Sequence, residues 1–136
     1  MSNKALLKST FNQLLDEITP QKLIAQACHV SADSLNVLGK SYDLNRYKNI
    51  YLLGSGKAVV PMALEIQNIL KARITNSLII GAYSSEEKLD NGIYFKSTHP
   101  LPSYKSLQAA RALQDTLASF DEDDLFIYLL SGGNSA

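Results

Sequence analysis

One cysteine, Cys28, is all the chain contains, so neither an internal disulfide nor a cysteine-rich metal site can form. Charge of either sign is not in excess. Thirteen basic and thirteen acidic residues balance, and no basic footprint argues for nucleic acid as a partner. Long apolar runs are missing as well. None approaches the roughly 20 residues that span a bilayer, so no membrane partner is expected. The opening "MSNKALLKSTFNQLL" has no continuous apolar stretch and no small-residue cleavage site, which argues against a signal peptide and makes the cytoplasm the default compartment. Internal repeats, low-complexity tracts and linkers are absent too.

What is present is 136 residues, 46% apolar and 19% charged, which suits one globular domain with a hydrophobic core. Apolar positions at Ala5, Leu6, Phe11, Leu14, Leu15 and Ile18 predict an amphipathic helix over 3–18. Thr19 then reads as an N-cap with Pro20 at the first helical position. A second helix is expected through "QKLIAQACHV", carrying Cys28 as a buried structural thiol and His29 as a structural histidine. Residues 31–48 read mostly as connection.

From residue 49 the pattern changes. "NIYLL", "SLIIGAY" (77–83), "GIYFKST" (92–98) and "DLFIYLL" (124–130) are short, largely apolar runs. Helical stretches near 60–72 and 103–119 separate several of them, with Ser103 as a plausible N-cap. Such alternation predicts a parallel sheet covered on both faces. The expected fold class is α/β, Rossmann-like, with a mostly parallel sheet, helices on both faces and two leading helices.

Ligands of open parallel sheets bind outside the carboxyl ends of the strands. There this chain places Gly54, Ser55, Gly56 and Lys57; then Tyr83, Ser84 and Ser85; then Thr98, His99 and Pro100; then Ser131, Gly132, Gly133, Asn134 and Ser135. Gly54 and Gly56 are expected to take positive φ and approach a ligand closely. The next helix would aim free N–H groups and its positive dipole end at the same space, with Pro61 in its first turn and Lys57 adding a full charge. This predicts a site for a carboxylate or phosphate; a plain strand-to-helix turn is the alternative. "LLSGGNSA" offers a second glycine-hydroxyl loop able to form an anion nest. His99 could hydrogen-bond an anion, move a proton, or only cap its loop. The acidic run "FDEDDLF" precedes a strand, so it belongs at the opposite edge as a solvated turn.

Two familiar phosphate motifs do not fit. In the P-loop pattern Tyr51 would fall on the first glycine, and Ala58 follows the lysine. In the dinucleotide pattern Val59 stands at the third glycine.

"GSGKAVVPMA", "THPLPS…SLQAARAL" and "DDLFIYLLSGGNSA", in this order and spacing, resemble the N-terminal domain of the glycerate 2-kinase family, often labelled hydroxypyruvate reductase. The resemblance covers nearly the whole chain. It implies an ATP- and Mg²⁺-dependent kinase that phosphorylates D-glycerate to 2-phosphoglycerate. Residues 1–136 would be the N-terminal part of its α/β domain, without the C-terminal domain and so expected to be inactive alone. The resemblance makes Lys57 the catalytic residue. It assigns substrate or phosphate binding to Gly54, Ser55, Gly56, His99, Ser131, Gly132, Gly133, Asn134 and Ser135, with Asn134 where the family has a third glycine. No metal ligand is identifiable. Two other readings are a phosphosugar-binding domain of the sugar isomerase type, disfavoured by Lys57 and Ala58, and a non-catalytic interaction fragment that self-associates through an unfinished sheet.

Overall fold

The computed structural model describes residues 2–83 and 89–134. Two helices lead, α1 (Asn3–Glu17) and α2 (Pro20–Ala27), joined at a turn where the Thr19 hydroxyl accepts from the Lys22 amide. That is the capping geometry expected of Thr19-Pro20. The α1 pattern does form a helix, but none of its residues is buried, and Phe11 and Leu14 are both 60% exposed.

The second helix stops earlier than its pattern suggests. Cys28 opens a strand, β1 (Cys28–Ser31), which pairs antiparallel with β2 (Ser34–Val37), and β2 in turn with β3 (Lys40–Asp43). The stretch read as connection is therefore a three-stranded sheet. Two tight turns build it, with left-handed backbone at Ala32, Leu38 and Gly39. Cys28 is buried as expected, and burial pushes its thiol pKa up. His29 is instead exposed on β1.

The main sheet follows as predicted. It comprises β4 (Asn49–Ser55), β5 (Asn76–Gly81), β6 (Gly92–Lys96) and β7 (Asp124–Leu130), all parallel, in the order β6-β5-β4-β7. Helix α3 (Val59–Leu70) connects β4 to β5, and α4 (Tyr104–Ala118) precedes β7. A Ser103–Ser106 capping box starts α4.

Register assigns the two faces. Gly54 pairs with Ile79 and Leu129, and all three look toward α3, whose Val59, Ala63, Ile66 and Leu70 fill the core with Leu52. Ile80 and Tyr128 lie on the other face, where α4 lays Ser106 and buried Ala109. The chain runs outward through β4, β5 and β6, then returns to place β7 on the other side of β4. The strand order reverses between β4 and β7, which is where doubly wound sheets open a crevice.

Candidate functional site

The loops after β4 and β7 are tied into one unit. The Ser131 amide donates to the Ser55 carbonyl at 3.1 Å, and the Lys57 amide to the Gly132 carbonyl at 2.9 Å. The Ser131 hydroxyl accepts from the Ala58 amide at 3.0 Å, while the Gly56 amide donates to the Ile80 carbonyl at 3.1 Å. The Gly56, Lys57 and Ala58 amides are thus consumed by the chain itself. A single anion lying across all three would have to displace these bonds. What the helix offers begins one residue later. Ala58, at the N-cap of α3, brings no side-chain acceptor to the first turn.

The two glycines of the first loop do different work. Gly56 has φ +122°, and a side chain there would begin 2.2 Å from Ser131 Oγ and 2.6 Å from its carbonyl oxygen. Gly54 departs from expectation. It is an extended strand residue, glycine because a Cβ would meet Val59 Cγ2 at 2.6 Å and Leu129 at 3.0 Å. The positive φ expected there is absent, and close strand–helix packing is what requires the glycine.

Three of the predicted segments converge on Gly133, which has φ +93°. A side chain at Gly133 would begin 3.0 Å from Lys57 Cγ and Cε and 3.3 Å from His99 Cδ2. The lysine stem and the histidine ring therefore flank one small residue. Gly132 faces open space among the described residues. Asn134, where the family has a third glycine, does not take left-handed backbone; Gly133 does, and the Asn134 side-chain amide turns back to donate to the Ser131 carbonyl. Ser84, Ser85 and Ser135 lie outside the described residues.

Residues not singled out in the sequence shape the surroundings. Ser106 Oγ accepts from the Ser103 amide at 3.2 Å and sits 2.9 Å from Ser97 Oγ and 3.3 Å from Thr98 Oγ1. It clasps both flanks of the His99 loop, whose His99–Pro100 bond is cis. Ser55 Oγ and Tyr128 OH are 2.7 Å apart. The Tyr94 hydroxyl donates to the Tyr83 carbonyl, and burial raises its pKa. A scan for motifs has no signal for Tyr94, Ser97, Ser106 or Tyr128, because each acts through a partner outside its own element.

Two cavities meet at Gly81 and Ala82. One, of about 250 Å³, lies on the α3 side with Lys57, Pro61, Tyr83 and Tyr94. The other, of about 280 Å³, lies on the α4 side of the β4–β7 crevice and includes Ser55, Thr98, Ser106, Tyr128 and Gly133. Among the described residues no group of three or more His, Cys, Asp or Glu side chains could hold a metal ion. The carboxylates of the acidic run stand at the amino end of β7, as predicted. No helix among the described residues is long and apolar enough to cross a membrane.

A parallel sheet with its crevice at a strand-order reversal, where two interlocked glycine loops meet, defines a doubly wound α/β domain. Residues 6–136 match the family described as Domain of unknown function (DUF4147), and the chain belongs to that family, the N-terminal domain of the glycerate 2-kinase family. It is 26% identical over 143 residues to a glycerate kinase of Danio rerio, covering 95% of this chain and 28% of that protein. It is 29% identical over 117 residues to a glycerate 2-kinase of Pyrococcus horikoshii, covering 86% of this chain and 26% of that protein. A crystal structure of a Pyrococcus horikoshii OT3 protein superposes with a TM-score of 0.84 at 26% identity, over 100% of this chain and 30% of that one. The glycerate kinase structure from Thermotoga maritima, at 20% identity and a TM-score of 0.73 over 96% of this chain and 28% of that one, shares the fold. The chain spans under a third of the length of these relatives.

Proposed function

We propose that this chain is the N-terminal part of the α/β domain of a cytoplasmic glycerate 2-kinase, which transfers the γ-phosphoryl group of ATP to D-glycerate. The observation that carries this reading is the meeting of Lys57 and His99 at Gly133, within a chain of the DUF4147 family. Phosphoryl transfer asks a protein for positioning and for neutralisation of oxygen charge. Lys57 supplies the charge, beside the first turn of α3. His99 hydrogen-bonds an anion or receives the proton that the attacking hydroxyl gives up. Ser131 and Gly133 shape the floor beneath both. Mg²⁺ belongs to the family's reaction, and the described residues offer it no ligand set.

Transfer also needs both substrates held in line and water excluded. The crevice is open, so the 136-residue chain alone is inactive or nearly so. Its exposed β7 residues, Leu130 at 67% and Phe126 at 54%, support self-association through the sheet edge. The test is an amide-shift NMR titration with D-glycerate and, separately, fructose 6-phosphate. Glycerate shifts at Gly54–Ala58 and Ser131–Asn134, lost in Lys57→Ala, support the reading. Shifts with the sugar phosphate alone overturn it in favour of a sugar isomerase type of domain. Rapid ADP formation by the isolated chain overturns the inactivity.

A further inference from the structure

His99 lies in a segment that packing does not hold. No residue from Thr98 to Lys105 is buried, and Leu101 is 77% exposed. An exposed loop keeps one conformation only where stiff backbone or hydrogen bonds impose it. Pro100 and Pro102 fix two φ angles within this one. What remains to be set is how the segment is held at its two ends.

Both ends meet at one atom. Ser106 Oγ accepts from the Ser103 amide at 3.2 Å and lies 2.9 Å from Ser97 Oγ. Thr98 Oγ1 stands 3.3 Å away, a longer and weaker contact. The Ser97 amide also donates to the Gly81 carbonyl at 2.8 Å, which anchors the same neck to β5. A hydroxyl has one donor and two acceptor positions. The Ser103 amide uses one acceptor, and Ser97 and Thr98 take up what is left, so Ser106 is fully engaged with its own chain. A capping box needs only the Ser103 bond. The bond to Ser97 is additional, and it joins the start of the loop to its end.

Just beyond this neck the His99 ring stands against Gly133, whose Cβ position lies 3.3 Å from His99 Cδ2 and 3.0 Å from Lys57 Cε. We propose that Ser106 is a positioning residue: by closing the neck of the 97–103 loop it sets the His99 ring beside Gly133 and Lys57. The placement of the ring rests on the hydrogen bonds; its value to a bound anion rests on the kinase reading of Lys57 and His99.

The chain has two histidines, and the other, His29, lies on β1, so His29→Gln assigns the His99 ring signals. In the 136-residue chain an NOE is expected between His99 Hδ2 and the Gly133 Hα protons. Ser106→Ala is expected to abolish it and to weaken D-glycerate, followed by amide shifts, at least about fivefold. Ser106→Thr keeps the hydroxyl and is expected to restore both. Ser103→Ala removes the other half of the capping box but no bond to Ser97 or Thr98. It is expected to keep the NOE and to change glycerate binding less than about twofold. If Ser106→Ala does not fold, Ser97→Ala with Thr98→Val removes the same bonds from the loop side, and the same losses are expected. An NOE absent from wild type, or unchanged in Ser106→Ala, overturns the proposal; glycerate shifts at Lys57 in that protein leave the kinase reading standing. Loss of the NOE in Ser103→Ala as well assigns Ser106 to helix capping alone and also overturns it. An NOE that follows Ser106 as expected, in a protein that glycerate does not shift, supports the positioning role and removes the kinase reading.

Discussion

The two ends of the parallel sheet both carry polar residues and treat them in opposite ways. At the amino end, Asp124 has both carboxylate oxygens occupied: the Asn49 amide donates to one at 2.7 Å and the Asp121 backbone N–H to the other at 3.1 Å. The Lys48 amide is taken by the Asp123 carbonyl at 2.8 Å. At the carboxyl end, backbone groups are spent on joining the loops after β4 and β7, while Lys57, His99 and a row of hydroxyls gather around two cavities. The difference teaches that a carboxylate is no site when, like Asp124, both its oxygens are already held by neighbouring N–H groups. A site needs groups that the fold positions and then leaves with bonding capacity.

Substitutions at the two ends break or sharpen this contrast. The largest effect on stability is expected from Gly56→Ala. It forces an L-residue to φ +122° and drives a Cβ to 2.2 Å from Ser131 Oγ. Strain and overpacking together cost about 2–5 kcal/mol, read as a fall in the urea midpoint. A midpoint unchanged from wild type would mean that the interlocked loops are soft. Ser131→Ala, which takes the acceptor from the Ala58 amide, is expected to cost about 1 kcal/mol in the same measurement. An effect above that of Gly56→Ala would reverse this order.

Lys57→Ala is expected to change stability by less than about 0.5 kcal/mol, because the side chain is exposed, yet to abolish glycerate-induced shifts. Retained shifts would remove Lys57 from the site. Asp124→Asn is expected to do least: no change in any ligand titration, and a small, pH-dependent loss of stability. The Asp121 backbone N–H, followed by the Asn49 side chain, lowers the Asp124 pKa below its ordinary 3.8. A lowered folded pKa contributes stability above the ordinary value, and that stability is lost as pH falls through the folded value. Wild type and Asp124→Asn should therefore differ at neutral pH and converge in acid. A difference that grows on acidification would contradict this.

Much of the architecture was legible because buried parallel strands must be apolar on both faces. "NIYLL" and "DLFIYLL" announce themselves without any knowledge of their neighbours. The antiparallel sheet was not legible, for two reasons. Its strands are four residues each, and the helical spacing of Leu23, Ile24, Ala27 and Cys28 runs straight through the true end of α2. Pairing of β1 with β2 ends that helix, and pairing is a tertiary event. At the site, topology alone put Lys57, His99 and Gly133 on one edge. It could not separate a glycine needed for positive φ, Gly56, from one needed for contact, Gly54. Nor could it reveal that the Lys57 and Ala58 amides are taken by residues some 73 positions away or more.

The bonds between those two loops also set an order of assembly. β4 can pair with β5 using neighbouring sequence, but the Lys57 and Ala58 amides find their acceptors only when Gly132 and Ser131 arrive. Such distant pairing comes after the loop-closure entropy has been met, so it belongs to the slow part of folding. The anion loop is thus finished from the far end of the chain. During synthesis it stays a loose strand end until β7 has left the ribosome and docked, and the protection of the Lys57 amide against hydrogen exchange becomes a clock for that docking.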